Sequence, residues 1–316
     1  MKKFLCVLLC LTLVFAFCGC GGETVTSSSE TSTSTVETSS HVSSETSSVV
    51  SSVVSVTSSK TSSTAVTSSE IKKPEKIVTL KDINTKMTNS KDYLITFVGD
   101  SITFGHPMSD TEQKFVSIVA KGIAEKFTDR TVIRYDGIEN GLRNPLKEYA
   151  APVTVQEGEN GKITVVRSGV SGSRMGDTIT RAESDFLGTA NDRLPKKADI
   201  IIIHLGVNDA GDLGTYKRDM RKLVEKIMTA QPETDVVLMT PTSSVSGTLK
   251  EYADAMKDLA SEKGLAVIDV NGEWLKHYTE GGPNYGMGNY LADQWHPSVI
   301  GQKLIADKIL SDLFPN

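Results

Sequence analysis

Cysteine is nearly missing: all four, Cys6, Cys10, Cys18 and Cys20, fall in the first twenty of 316 residues. A disulfide framework and a cysteine-based metal site are thereby excluded from everything downstream. Positive charge is just as scarce where it would matter. Of the formal net charge of -5, residues 1–19 carry +2 and residues 20–70 carry -4, which leaves -3 for the rest. No Lys/Arg cluster stands anywhere in that remainder, so no nucleic-acid partner is expected. Long hydrophobic runs are lacking too, because the apolar stretch Phe4 to Phe17 is too short to span a bilayer comfortably.

What the amino terminus does contain is an export pattern. Met1-Lys-Lys3 is a basic start, the apolar stretch follows, and Phe17-Cys-Gly-Cys20 closes it. Those four residues resemble the lipobox of bacterial lipoproteins, which implies cleavage after residue 19 and lipidation of Cys20. A plain secreted form is the alternative. Thr24 to Glu70 is almost wholly Ser, Thr, Val and Glu, without glycine or aromatic residue. Such a segment has too little apolar surface to offset its ordering entropy and reads as an extended stalk. The expected organisation is a signal peptide over 1–19, a stalk over 20–70 and one folded domain over 71–316.

Within that domain, strand-like and helix-like segments alternate. Leu94 to Val98 is a short apolar, β-branched and aromatic run, followed by Gly99-Asp-Ser101. Phe115, Ile118, Val119, Ile123 and Phe127 recur at helical spacing behind the capping residues Ser109-Asp-Thr-Glu112. Ile163–Val166, Ala198–Leu205, Val236–Met239 and Leu265–Asp269 read as further strands, with Ala198–Leu205 as the central one. Tyr216–Ala230, Leu249–Lys263 and Ser298–Leu313 read as helices. Ile77–Leu80 is expected to be an edge strand or linker. Residues 131–162 hold short β-prone pieces between Gly/Asn turns and are read as an inserted hairpin or lid. Strands alternating with helices predict an α/β fold, a parallel sheet covered on both faces.

Open α/β sheets place ligands beyond the carboxyl ends of their strands, which is where Ser101 stands. A serine nucleophile needs a base, an acid to orient the base, and donors aimed at the oxyanion. Among the five histidines, His41, His204 and His277 have no placed partner and read as structural or surface groups, while His106 is close enough to Ser101 to touch substrate. His296 differs because Pro297 fixes its backbone at the mouth of the last helix. Asp293, three residues earlier, can fold back onto the ring's Nδ1 and leave Nε2 for Ser101. Gly172 can bring a backbone N–H close to a bound carbonyl, and Asn208 can supply an amide donor.

Gly99-Asp-Ser101, Gly172 within Gly169-Val-Ser-Gly-Ser173, Gly206-Val-Asn-Asp209 and Asp293-x-x-His296-Pro297 resemble the four blocks of the SGNH hydrolase superfamily, the GDSL esterases and lipases. The resemblance covers about residues 92–314, in the family's order. It implies a three-layer flavodoxin-like fold and a carboxylic ester hydrolase working through an acyl-enzyme. Ser101 would be nucleophile, His296 base and Asp293 its partner. The oxyanion hole would comprise the N–H groups of Ser101 and Gly172 and the Asn208 side chain, with no cofactor and no metal. One departure is Ser168, where the family often has Asn.

An anchored esterase on a stalk faces outward and meets polymers. The expected substrate is therefore acetylated cell-wall or plant polysaccharide, with Tyr285, Tyr290 and Trp295 available to stack on sugar rings. Lipid esters such as lysophospholipids and the O-acetyl groups of peptidoglycan are the alternatives. A noncatalytic surface carbohydrate-binding protein is the reading from another class. The expected location is the outer face of the cell membrane, through Cys20, or else secretion.

Overall fold

The computed structural model describes residues 77–188, 197–244, 247–277 and 288–315. The signal peptide, Cys20, the stalk, His41 and Tyr285 lie outside the described residues. Of the two expected alternatives for the opening segment, edge strand or linker, residues 77–79 are the linker, and Leu80 already starts a helix, α1 (Leu80–Asn89). Thr79 caps it reciprocally: its hydroxyl accepts the Asp82 N–H at 3.1 Å and the Asp82 carboxylate accepts the Thr79 N–H at 3.0 Å. Ile83 and Met87, one turn apart, are the buried pair that docks it.

After α1 come β1 (Asp92–Gly99), the four-residue helix α2 (Ser101–Phe104) and a 3₁₀ turn at Thr111–Gln113. They are followed by α3 (Phe115–Lys126), β2 (Thr131–Ile138), β3 (Glu148–Tyr149), β4 (Val153–Gln156) and β5 (Lys162–Gly169). The remainder is α4 (Met175–Ala182), with a π-helical turn behind it, then β6 (Ile200–His204), α5 (Leu213–Ala230), β7 (Asp235–Met239), α6 (Lys250–Lys263), β8 (Ala266–Ile268), α7 (Val270–Leu275) and α8 (Val299–Leu313). The expected helix and strand segments are present within a few residues of their expected ends. Asp110 caps the 3₁₀ turn, and α3 begins behind it at Phe115.

The strands form one sheet in the order β3-β2-β5-β1-β6-β7-β8, with β4 also on β2. All pairings among β2, β5, β1, β6, β7 and β8 are parallel; only β3 and β4 run antiparallel. Numbered by chain position, β5, β1, β6, β7 and β8 stand in the order 2-1-3-4-5, the doubly wound flavodoxin-like arrangement, with β6 in the middle. β2 extends that sheet beyond β5, so the reading of residues 131–162 as a hairpin or lid needs correction. Thr131–Ile138 is a strand of the main sheet. Its edge is closed by β4 and β3, and only the segment between β2 and β3 reaches the site.

Alternation along the strands divides the core into two layers. Tyr93, Ile95 and Phe97 of β1 face one cluster with Ile83, Phe115, Trp274 and Ile309. Leu94 and Val98 face the other, with Met175, Tyr216, Leu223 and Met256. β6 splits in the same way, Ile200 and Ile202 against Ile201 and Ile203. Each fully buried aliphatic side chain contributes roughly 1.5–3 kcal/mol, so a strand apolar on both faces is fixed in register from both sides. Among the described residues no helix is long and apolar enough to cross a membrane.

Candidate active site

The site is assembled at the carboxyl ends of β1, β5 and β6, around the point where the sheet order reverses. Gly99 ends β1, and Asp100 caps α2 by accepting the Ile102 N–H at 2.9 Å. Ser101 is thereby set on the first residue of α2, mostly covered but open to a cavity. Glycine is needed at Gly99 for space. A Cβ there would meet the Thr103 Oγ1 at 2.0 Å and the His204 carbonyl at 2.5 Å, and one at Gly169 would meet the Phe104 nitrogen at 2.2 Å. α2 therefore lies directly on the strand ends. The buried Arg181 braces this corner, donating to the Gly99 carbonyl at 2.9 Å while paired with Asp185 at 2.6 Å.

The turn before α8 supplies the other half. Asp293 Oδ1 accepts the N–H groups of Trp295 and His296, each at 2.8 Å. Asp293 Oδ2 meets His296 Nδ1 at 2.8 Å, and His296 Nε2 meets the Ser101 Oγ at 2.9 Å. Partial burial disfavours the Asp293 carboxylate, but the three donated hydrogen bonds outweigh it and hold its pKa below the usual value. A carboxylate on Nδ1 fixes the proton there, so Nε2 is the acceptor for the serine hydroxyl.

Two further turns complete the pocket. Gly172, beyond β5, has φ +75°, a left-handed backbone that glycine adopts without strain. Asn208, beyond β6, donates one amide hydrogen to the Ser173 carbonyl at 3.1 Å, and its second has no partner among the described residues. The neighbouring Asp209 accepts the Met175 N–H at 3.2 Å and ties the β6 turn to the start of α4. Burial raises the Asp209 carboxyl to about 6 and the fully enclosed Asp100 carboxyl to about 7.

Ser101, Gly172, Asn208 and His296 line one cavity of about 690 Å³, and Asp293 stands behind His296. His106 lines it too, its ring edge-on to His296 with centroids 4.7 Å apart. His106, Asp293 and His296 are the one group of metal-ligating side chains that clusters among the described residues, their ligand atoms within 4.8 Å of one another. His204 is buried beneath α2, and burial pushes its pKa down to about 3. His277 stacks on Tyr290, whose ring also packs on Trp274, so Tyr290 belongs to packing. Trp295 and Leu142 both line the cavity wall. Leu142 and Glu139 come from the segment after β2 and were not foreseen as site residues, because nothing in their local sequence shows where that segment runs.

A parallel sheet wound on both faces, with a serine, an imidazole and a carboxylate in hydrogen-bonded series at its carboxyl edge, defines an ester hydrolase of the three-layer α/β type. The chain belongs to the GDSL-like lipase/acylhydrolase family, whose profile matches residues 97–304. No curated protein matches it. Among solved structures it is similar to a two-domain esterase active on acetylated mannans, co-crystallized with mannopentaose, at 20% identity and TM-score 0.51, over 75% of this chain and 54% of that one. The chain thus spans about half the length of that protein. It is also similar to a mutant of an acetyl-xylooligosaccharide esterase from Geobacillus Stearmophilus, at 21% identity and TM-score 0.50, over 71% of this chain and 95% of the other.

Proposed function

We propose that this esterase works through an acyl-enzyme on Ser101 and removes acetyl groups from uncharged polysaccharide. The observation that carries the first part is the continuous series from Ser101 through His296 to Asp293, at 2.9 and 2.8 Å, beside an open cavity. His296 Nε2 takes the hydroxyl proton as Oγ attacks the ester carbonyl, and Asp293 stabilises the imidazolium that results. The developing oxyanion is met by the N–H groups of Ser101 and Gly172 and by the second amide hydrogen of Asn208. His296 then gives its proton to the departing alkoxide, and water repeats the sequence to release the acid.

The cavity chemistry supports a neutral leaving group. Among the described residues lining it there is no Lys or Arg, while Glu139 is there. A phospholipid headgroup or a uronic acid would bring negative charge, and the neighbouring guanidinium of Arg143 is already engaged by the Gly172 carbonyl and Asp177. The indole of Trp295, 39% exposed, and the Leu142 side chain, 70% exposed, offer the apolar surfaces that a pyranose ring covers. Acetylated sugars are also the substrates named for the two solved structures, although at 20 and 21% identity that likeness carries the fold alone. Lipidation at Cys20, holding the enzyme at the outer face of the membrane, is proposed from the Phe17-Cys-Gly-Cys20 pattern. Cys20→Ala should release the protein into the medium.

The test compares wild type with Ser101→Ala, measuring acetate release from acetylated xylan, acetylated peptidoglycan and p-nitrophenyl acetate, and fatty-acid release from lysophospholipid. Wild type should prefer acetylated xylan, and Ser101→Ala should lose turnover on every substrate. A Ser101→Ala protein that still hydrolyses p-nitrophenyl acetate removes the mechanism; a preference for lysophospholipid removes the substrate.

A further inference from the structure

Beside the cavity, the segment after β2 grips the turn that carries Gly172. Glu139 accepts the Ser171 N–H. The Arg143 main-chain N–H donates to the Ser171 carbonyl at 3.0 Å, and the Arg143 Nε donates to the Gly172 carbonyl at 3.1 Å. On the far side, Ser173 gives its N–H to Val170 at 3.2 Å, and its carbonyl receives the Asn208 amide at 3.1 Å. The main-chain groups of Ser171, Gly172 and Ser173 are thus engaged one after another. The exception is the Gly172 N–H, which has no partner among the described residues.

The gripping segment shows what this arrangement costs. Arg143 adopts φ +63°, a left-handed backbone rare and unfavourable for a residue with a side chain. That conformation persists with both its N–H and its guanidinium bonded to the turn, and with Asp177 at 3.8 Å from the same guanidinium. The segment is tied at its far end as well, where the Leu146 N–H meets the Asp185 carboxylate at 3.0 Å. Asp185 is the partner of Arg181, which holds the carbonyl of Gly99 next to the nucleophile.

We propose that Glu139 and Arg143 are positioning residues of this enzyme, clamping the Ser171–Gly172 turn so that the free Gly172 N–H points at the oxyanion. They touch the reacting atoms only through that turn. The inference rests on the acyl-enzyme reading, since it concerns one donor of that mechanism. A clamp of this kind acts where charge develops, so its loss lowers turnover and leaves ground-state binding nearly unchanged. Glutamine at 139 keeps an oxygen that accepts the Ser171 N–H, whereas alanine has none.

The experiment measures kcat and KM for p-nitrophenyl acetate and the inhibition constant of phenylboronic acid, whose tetrahedral serine adduct places an oxygen in the same hole. Both are read in the full chain for Glu139→Ala, Glu139→Gln and Arg143→Ala, with thermal unfolding alongside. Glu139→Ala should lower kcat on the order of tenfold to a hundredfold, up to the loss seen when an oxyanion donor is removed, with KM changed less than about twofold. Boronate affinity should fall in step with kcat. Glu139→Gln should stay within about threefold of wild type on both readouts, and Arg143→Ala should shift both in the same direction as Glu139→Ala. The proposal is overturned if Glu139→Gln is as impaired as Glu139→Ala, if kcat falls while boronate affinity does not, or if neither moves. Should Glu139→Ala fail to fold, the exposed Arg143→Ala decides by the same pair of readouts. A dead Ser101→Ala beside an unimpaired Glu139→Ala sinks this inference alone, whereas an active Ser101→Ala sinks the parent reading.

Discussion

Replacing Asp293 by asparagine should damage the enzyme more than replacing it by alanine. The reason lies in how the two carboxylate oxygens are used. Oδ1 accepts two backbone N–H groups, from Trp295 and His296, and Oδ2 accepts one ring N–H. Asparagine has a single oxygen, and two donors on one side outbid one on the other. The oxygen therefore stays at the Oδ1 position and the amide NH₂ turns toward the imidazole. Nδ1 must then accept, the ring proton moves to Nε2, and His296 donates to Ser101 where it should receive. A wrong tautomer of this kind costs about 10⁴ in kcat. Alanine leaves the tautomer free, and Asp293 is substantially exposed, so its removal should cost less than the wrong tautomer does. Stability runs the other way. Alanine abandons two backbone donors at about 1 kcal/mol each, and asparagine keeps both. Stopped-flow or steady-state hydrolysis of p-nitrophenyl acetate, with urea unfolding of the same preparations, reads both orders. Asparagine as active as alanine or more so, or either variant within threefold of wild type, would refute the reasoning.

Further outcomes follow from neighbouring residues. Asn208→Ala should lower kcat on the order of a hundredfold with little change in KM, because one of the proposed oxyanion donors goes; a loss confined to KM would remove Asn208 from the hole. Asp100 is raised to about 7 in the fold against about 3.9 in the unfolded chain. The folded state thus holds the extra proton, and stability declines as pH rises from about 4 to about 7, by at most about 4 kcal/mol for this group. Asp100→Asn, an equally good cap, should flatten that slope in urea unfolding at several pH values; an unchanged slope would contradict the assignment. Gly99→Ala drives a Cβ into Thr103 and the His204 carbonyl, so it should lower the unfolding midpoint by the equivalent of about 1–3 kcal/mol and displace Ser101, reducing kcat. Normal unfolding and turnover in that variant would show that α2 can move freely off the strand.

Much of this was legible in the chain itself, and the exceptions have physical causes. β1 and β6 are buried on both faces, so they appear as unbroken apolar runs, and Pro297 marks where His296 is held. α1 escaped notice because it docks on little more than Ile83 and Met87 amid polar residues. β2 looked like surface hairpin because it buries a charge. Arg134, almost wholly enclosed, bonds Asp136 at 3.1 Å and Glu112 at 2.8 Å, and such pairing cannot be read from alternation along one strand. Glu139 and Arg143 were invisible for a related reason: their partners are main-chain groups of a turn about thirty residues away, and only the folded path brings them together.

The most direct test of the account is covalent labelling. A fluorophosphonate ester should modify wild type stoichiometrically, and peptide mass spectrometry should locate the adduct on Ser101, with His296→Ala labelled orders of magnitude more slowly and Ser101→Ala not at all. An adduct on any other residue, or labelling of Ser101 at an undiminished rate without His296, would contradict the claim that His296 activates Ser101.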